Sequence, residues 1–112
     1  MPTKELIGAS TIPLILTVLQ SGDHYGYDLI KKVRQLSDGK LDWSEAMLYP
    51  VLHRMQRDGF IDGRWEKIES SRKRKYYAIT EEGKKLLAEK REDWIVMIEL
   101  FQKIWNLESG LS

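Results

Sequence analysis

The chain has 112 residues, no cysteine and a formal net charge of +1, with 42% hydrophobic and 31% charged residues. This composition is that of one small globular domain, and it excludes disulfide bonds and thiolate metal sites. The first residues, MPTKELIGAS, lack the features of a secretory signal, and the apolar stretch IPLILTVL is too short to span a bilayer. We therefore expect a soluble cytoplasmic protein that does not contact a membrane.

Two helices are predicted in the first third of the chain. Residues 4–20 are densely apolar and end in the turn cluster SGDHYG, which predicts a helix covered on more than one side. Pro13 lies inside this helix, which we expect to kink or restart near Thr11. Residues 27–36 repeat apolar side chains at helical spacing, and Gly39 can close this second helix in a left-handed conformation.

A third helix is predicted around residues 44–55, SEAMLYPVLHRM, although Pro50 lies within the run. If Ser44 is the N-cap, Pro50 removes one backbone hydrogen bond, to the carbonyl of Ala46, and can bend the helix. If Tyr49 is the N-cap, Pro50 is the first helical residue and its missing N–H costs little. Both alternatives place Pro50 on the outer face of the helix, so we expect it to be exposed.

A hairpin and a long helix complete the prediction. Residues 60–68 and 73–80 are rich in aromatic and β-branched side chains, and the ESSR between them favours a hairpin. Thr80 is the expected N-cap of a final helix that continues to about Leu107. Three helices followed by a hairpin is the order of a winged helix-turn-helix. We therefore predict a mainly α fold with a small β-hairpin, consisting of a winged helix-turn-helix domain over residues 1–79 and a dimerisation helix over residues 80–112.

Basic residues are concentrated on the third helix and the hairpin. The helix face opposite its apolar stripe carries Ala46, Tyr49, Pro50, His53, Arg54 and Arg57. The second strand begins with RKRK, residues 72–75, whose arginines and lysines alternate between the two faces. Each feature alone has a simpler interpretation, a solvated surface helix or a charged edge strand that resists pairing. Together they favour a third helix that lies in the major groove of DNA. Arg54 and the hairpin, which is the wing of this fold, would then contact the phosphate backbone.

The last helix carries a repeat typical of helices that pair along a seam. Leu87, Trp94 and Phe101 recur every seven residues, and Lys90, Met97 and Ile104 complete a period of 3.5 residues. The alternative is that this stripe packs within one protomer, but a long uncovered stripe with two tryptophans favours a partner. We expect a homodimer whose interface is formed by Leu87, Trp94, Met97, Phe101, Ile104 and Trp105.

The sequence contains no pattern that indicates catalysis or metal binding. His24 and His53 are the only histidines, and neither has a second ligand at metal spacing. A phosphate-binding loop, a dinucleotide-binding glycine pattern and a nucleophile elbow are all absent from the sequence. We therefore expect no enzyme activity, no cofactor and no metal.

Four segments, HYGYDLIKKV, SEAMLYPVLHRMQRDGFI, RKRKYYAIT and TEEGKKLL, resemble the PadR family of transcriptional regulators. The single C-terminal helix, with EDWIVMIELFQKI, is similar to the short multidrug-binding branch of that family. The resemblance implies a homodimeric repressor whose paired winged helices bind a palindromic operator in double-stranded DNA. It also implies base contacts from Ser44, Glu45, Ala46 and Pro50, and backbone contacts from Tyr25, Gly26, Tyr49, Arg72, Lys73, Arg74 and Lys75.

The same resemblance implies a small-molecule effector at the dimer interface. Trp94 matches the tryptophan that stacks on flat aromatic ligands in the multidrug-binding relatives, and Leu6 and Ile12 would form part of the pocket wall. Those relatives carry a carboxylate one turn beyond the tryptophan, where this chain has Ile98. The implied ligand is therefore a planar, uncharged aromatic molecule. The alternative is that no ligand binds and that Trp94 only packs in the dimer.

Two functions therefore fit the sequence. The first is a dimeric DNA-binding transcriptional repressor that responds to a flat aromatic molecule. The second is a winged-helix module that binds another protein and does not bind DNA. The net charge of +1 favours the second, whereas the clustering of basic residues on the third helix and the hairpin favours the first.

Overall fold

The computed structural model describes residues 3–69 and 72–110. They form four helices and three strands in the order α1 (Lys4–Gln20), β1 (His24–Tyr25), α2 (Gly26–Leu36), α3 (Glu45–Arg57), β2 (Ile61–Glu69), β3 (Arg72–Ile79) and α4 (Glu81–Gly110). The strands form one antiparallel sheet in the order β1-β3-β2, which confirms the predicted mainly helical fold with a small hairpin. Residues 70 and 71 of the expected ESSR turn lie outside the described residues.

Strand β1 is not predicted by the sequence. His24 pairs with Tyr77 and Tyr25 pairs with Tyr76, so β1 adds a short third strand to the free side of β3. Two residues are too few to give an alternating pattern, and the SGDHYG around them is typical of a turn. This pairing attaches the start of α2 to the hairpin.

Side-chain caps begin three of the helices. The hydroxyl oxygen of Thr3 accepts a hydrogen bond from the Leu6 N–H at 3.3 Å, and that of Ser44 accepts one from the Met47 N–H at 3.1 Å. Thr80 caps α4, as predicted, by accepting from the Gly83 N–H at 3.0 Å. Each cap satisfies one of the backbone donors that a helix start leaves free.

Helix α1 is continuous from Lys4 to Gln20, so the restart expected near Thr11 does not occur. Pro13 removes only one backbone hydrogen bond. The next turns are held by the burial of Ile15, Leu16, Val18 and Leu19 in the core. Burial of four large side chains outweighs the loss of one hydrogen bond.

The core joins all four helices to the sheet. Leu87 in α4 is only 1% exposed and belongs to this core, so its predicted place in the dimer interface is wrong. The start of α4 is fixed by Gly83, where a Cβ atom would collide with the carbonyl oxygen of Phe60. The Thr80 hydroxyl also donates to the carbonyl of Gly59 at 2.6 Å. The first turns of α4 therefore pack on the base of the hairpin.

Beyond these turns, α4 extends away from the core. The helix contains 30 residues and ends at Gly110, three residues later than predicted. At a rise of about 1.5 Å per residue it is about 45 Å long. This length accounts for most of the 65 Å long axis of the molecule. Its second half carries large apolar side chains that are exposed: Ile95, Val96, Met97, Ile98, Leu100, Phe101, Ile104, Trp105 and Leu107.

Candidate nucleic-acid interface

Helix α3 has the two faces that the sequence predicts. Leu48, Leu52 and Met55 are buried and attach the helix to the core. The opposite face is largely open to solvent and presents Glu45, Ala46, Pro50, His53, Arg54 and Arg57. The helix is thus anchored on one side and available for contacts on the other.

Pro50 lies inside α3, because the helix begins at Ser44 and not at Tyr49. Its ring nitrogen cannot donate to the carbonyl of Ala46, and the helix nevertheless continues to Arg57. The predicted exposure of Pro50 is confirmed. Ser44 is also exposed, but its hydroxyl is already occupied as the cap acceptor for Met47.

A cavity of about 410 Å³ brings together the start of α2, the outer face of α3 and the hairpin. Among the residues predicted to bind DNA, this cavity is lined by Tyr25, Gly26, Glu45, Tyr49, Lys73, Arg74 and Lys75. The others, which are Ser44, Ala46, Pro50, Arg54 and Arg72, are exposed and lie outside its lining. The cavity is therefore a basic, aromatic cleft between the helix and the wing.

Tyr49 joins α3 to the start of α2. Gly26 is buried beneath it, since a Cβ at this position would lie 2.9 Å from Cε1 and the hydroxyl oxygen of Tyr49. Burial raises the pKa of Tyr49 above its ordinary value, and the carboxylate of Glu45 acts in the same direction. Tyr49 therefore remains a neutral hydroxyl at physiological pH.

Four residues that line this cleft are not among those predicted to bind DNA: Tyr27, His53, Trp65 and Tyr77. The sequence predicts His53 on the outer face of the helix without a role in DNA binding. Trp65 is 66% exposed, and its ring lies 5.8 Å from the ammonium of Lys75. Trp65 and Lys75 are opposite each other in the β2–β3 ladder. The strand register places Trp65 beside Lys75, but the sequence could not establish this register because the length of the turn between the two strands was uncertain.

A second cavity, of about 370 Å³, lies between α1, the segment before α3, and α4. Its lining brings together Leu6 and Trp94, as the effector prediction requires, with Ile7, Ser10, Pro13, Leu14 and Leu41. The other two predicted ligand residues are not part of it. Ile12 packs against the core, and Ile98 is exposed on α4. Neither residue lines this cavity of the protomer, and their contacts with a ligand at the dimer interface stay predictions.

The remaining predicted dimer residues lie on the free part of α4. Met97, Phe101, Ile104 and Trp105 are exposed, and Trp94 is half-buried. The rings of Phe101 and Trp105 are stacked, with centroids 5.3 Å apart. Such an apolar surface on a single helix is typical of a protein interface.

In residues 3–69 and 72–110, we find no group of three acidic or histidine side chains that could hold a metal ion. The same part of the chain has no helix with the length and hydropathy needed to cross a membrane.

Comparison with known proteins identifies the family. The family described as "Transcriptional regulator PadR-like family" matches residues 15–89. A transcriptional regulator from Clostridium thermocellum is 31% identical, with a TM-score of 0.81 over 89% of this chain and 97% of that one. A PadR family transcription regulator from Clostridium difficile is 29% identical, with a TM-score of 0.74 over 85% of this chain and 97% of that one.

The transcriptional regulator YqjI of Escherichia coli is 36% identical over 86 residues, which are 77% of this chain but 39% of YqjI. The chain therefore spans about two fifths of the length of that relative. These proteins are regulators and not enzymes, as the sequence predicts. This chain belongs to the PadR-like family of transcriptional regulators.

Proposed function

We propose that the protein is a homodimeric repressor that binds a palindromic operator with its paired winged helices. The observation that carries this proposal is the cleft in which the start of α2, the outer face of α3 and the basic strand β3 meet. DNA binding is expected of a PadR-like regulator. A winged-helix module for protein binding would not need basic and hydrogen-bonding groups from three elements on one surface.

In this proposal α3 enters the major groove. Its exposed first two turns present Glu45, Ala46 and Pro50 to base edges, with Ser44 at the helix start. The backbone is contacted from both sides of the helix. Backbone contacts come from Tyr25, Gly26, Tyr49, Arg54, Arg72, Lys73, Arg74 and Lys75.

We assign the exposed stripe of α4 to a second copy of this chain. Trp94, Met97, Phe101, Ile104 and Trp105 form a continuous apolar surface beyond the point where the core ends. Regulators of this family typically dimerise. Two-fold symmetry of the protein matches a palindromic operator, because each protomer contacts one half-site.

The cavity between α1 and α4 is the proposed effector site. Trp94 supplies a flat surface, Leu6 an apolar wall, and Ser10 the only side-chain hydroxyl in the lining. The lining has no charged side chain, which favours a neutral planar aromatic molecule. Such a ligand regulates DNA binding only if it binds the DNA-competent and DNA-free arrangements with different affinities.

The experiment that tests DNA binding is a titration of the promoter region of its own gene at several salt concentrations. For a dimer that contacts about six phosphates, log K should fall with log salt at a slope of about −5. Lys73→Ala should weaken binding and make this slope less steep by about 0.9 for each phosphate that the variant no longer neutralises.

The matched control for this variant is Lys85→Ala. Lys85 is an exposed lysine on α4 that pairs with Glu82, on an element outside the cleft, so its removal should leave the slope unchanged. Absence of binding at low salt, or binding without a salt slope, would contradict the DNA-binding proposal.

A further inference from the structure

A carboxylate lies among the basic residues of the hairpin and holds two non-adjacent strands together. The Tyr25 hydroxyl in β1 donates to Oε2 of Glu66 in β2 at 3.1 Å. Strand β3 lies between β1 and β2, so this hydrogen bond crosses the whole sheet. The other carboxylate oxygen of Glu66 accepts from Nε of Arg64 at 3.1 Å.

The side chains around this bond form a closed cluster. The ring of Tyr76 in β3 meets that of Tyr25 edge to face, with centroids 4.7 Å apart. The guanidinium of Arg64 lies 4.8 Å from the centre of the Tyr76 ring and 3.8 Å from a carboxylate oxygen of Asp23. Every charged group in the cluster therefore has a partner of opposite charge.

This cluster connects the β2–β3 hairpin to α3, the helix that is proposed to enter the major groove. Tyr25 is the N-cap residue of α2, and its side chain makes no cap hydrogen bond, so the hydroxyl is available for Glu66. The next residue, Gly26, lies under Tyr49 of α3. A continuous path of contacts thus runs from Glu66 through Tyr25 and Gly26 to Tyr49.

A simple charge argument gives Glu66 the opposite role. Glu66 lies opposite Arg74 in the ladder, and Arg74 lines the proposed DNA-binding cleft. A carboxylate here repels phosphate and offsets one basic residue. If charge were its only contribution, removal of Glu66 would strengthen DNA binding.

We propose instead that Glu66 is a positioning residue, which holds Tyr25 so that the wing and α3 meet the DNA backbone in one fixed arrangement. The Tyr25 hydroxyl donates its one proton to Glu66, so in this arrangement the proposed contact of Tyr25 with the DNA backbone is made by other atoms of the residue. Because the inference rests on the proposed DNA binding, the wild-type salt titration is part of its test.

The test compares operator affinity of Glu66→Ala, Glu66→Gln, Tyr25→Phe and the Tyr25→Phe/Glu66→Ala double variant. We expect Glu66→Ala to weaken binding about tenfold, the scale of one hydrogen bond to a charged group, although it removes a negative charge. Glu66→Gln removes the same charge but keeps an acceptor for Tyr25, so it should retain most of the affinity. The double variant should bind no more weakly than the weaker single variant.

Glu69→Ala is the matched control, since Glu69 is an exposed carboxylate at the end of the same strand. This variant should bind DNA as tightly as wild type or more tightly. Circular dichroism at the assay temperature confirms that each variant is folded. An independent readout is the ultraviolet titration of the tyrosines. Burial and the bond to Glu66 raise the pKa of Tyr25, so Glu66→Ala should lower it.

Tighter binding by Glu66→Ala, or independent additive effects of the two single variants, would overturn the positioning role while leaving DNA binding intact. If wild-type protein itself fails to bind with a salt slope, the proposed function fails and this inference fails with it.

Discussion

The ring of Tyr49 stands directly over Gly26, so that a single methyl group at Gly26 would contact the ring at 2.9 Å. The contact joins the start of α2 to the outer face of α3. Because the obstacle is the end of a side chain and not backbone, the ring can move aside at small cost in folding free energy. The displacement would nevertheless occur at the centre of the proposed DNA-binding cleft.

We therefore predict that Gly26→Ala changes the free energy of unfolding by less than about 1 kcal/mol but weakens operator binding clearly. Urea unfolding and DNA titration of the same preparation measure the two effects. In a Tyr49→Ala background the added methyl group meets no ring, so Gly26→Ala should then have little further effect on DNA binding. Unchanged affinity in the single variant would contradict the role of this contact.

Pro50→Ala should separate stability from function. Alanine restores an N–H that can donate to the carbonyl of Ala46, and a proline in a helix interior costs about 3 kcal/mol relative to alanine. We expect a higher Tm by thermal unfolding, together with weaker or less selective operator binding, because Pro50 is exposed on the proposed reading face. A lower Tm would show that the helix is adapted to its proline.

Leu87 and Phe101 occupy equivalent positions of the seven-residue repeat but should respond differently to substitution. Leu87→Ala creates a cavity in the protomer core and should lower the free energy of unfolding by about 2 to 5 kcal/mol. Phe101 is 44% exposed, so Phe101→Glu should leave the protomer folded and abolish the proposed dimer.

Analytical ultracentrifugation and circular dichroism measure the two outcomes for Phe101→Glu. Gln102→Glu adds the same charge at the next residue of α4, outside the repeat, and should remain dimeric. A dimeric Phe101→Glu variant would place the interface elsewhere.

Flat aromatic molecules should quench tryptophan fluorescence through Trp94. Wild-type protein has four tryptophans, of which Trp94 lines the apolar cavity between α1 and α4. Titration with a neutral planar dye should therefore change the emission of wild type and much less that of Trp94→Phe. Equal quenching of both proteins would remove the effector site from this cavity.

Stability should fall at alkaline pH through Tyr77. Burial raises its pKa above the ordinary value, and Tyr49 acts in the same direction. In the unfolded chain, tyrosine titrates at about pH 10. The contribution of neutral Tyr77 to the free energy of unfolding is complete below that pH. It is lost as the pH rises through the higher pKa of Tyr77 in the folded state. Urea unfolding at increasing pH should show a smaller loss for Tyr77→Phe than for wild type.

Local features of the sequence were sufficient to predict the helices and the exposed Pro50, because caps and apolar periodicity act within a few turns. The repeat in α4 also predicted an apolar stripe, but periodicity does not say which surface covers it. The sequence therefore could not distinguish Leu87, which faces its own core, from Phe101, which is exposed. The bond between Tyr25 and Glu66 depends on strand order and register, which β1 was too short to indicate.

The attachment of α4 at Gly83 has a mechanical consequence. The carbonyl of Phe60 leaves no room for a side chain at this point, and the Thr80 hydroxyl donates to the carbonyl of Gly59, so the first turn of α4 is packed and hydrogen-bonded against the base of the hairpin. Trp94 lies 11 residues further on, about 16 Å along the helix at its usual rise. In the proposed dimer, α4 would then pivot about its contact with the base of the wing. A tilt imposed at the tryptophan would turn the wing with it.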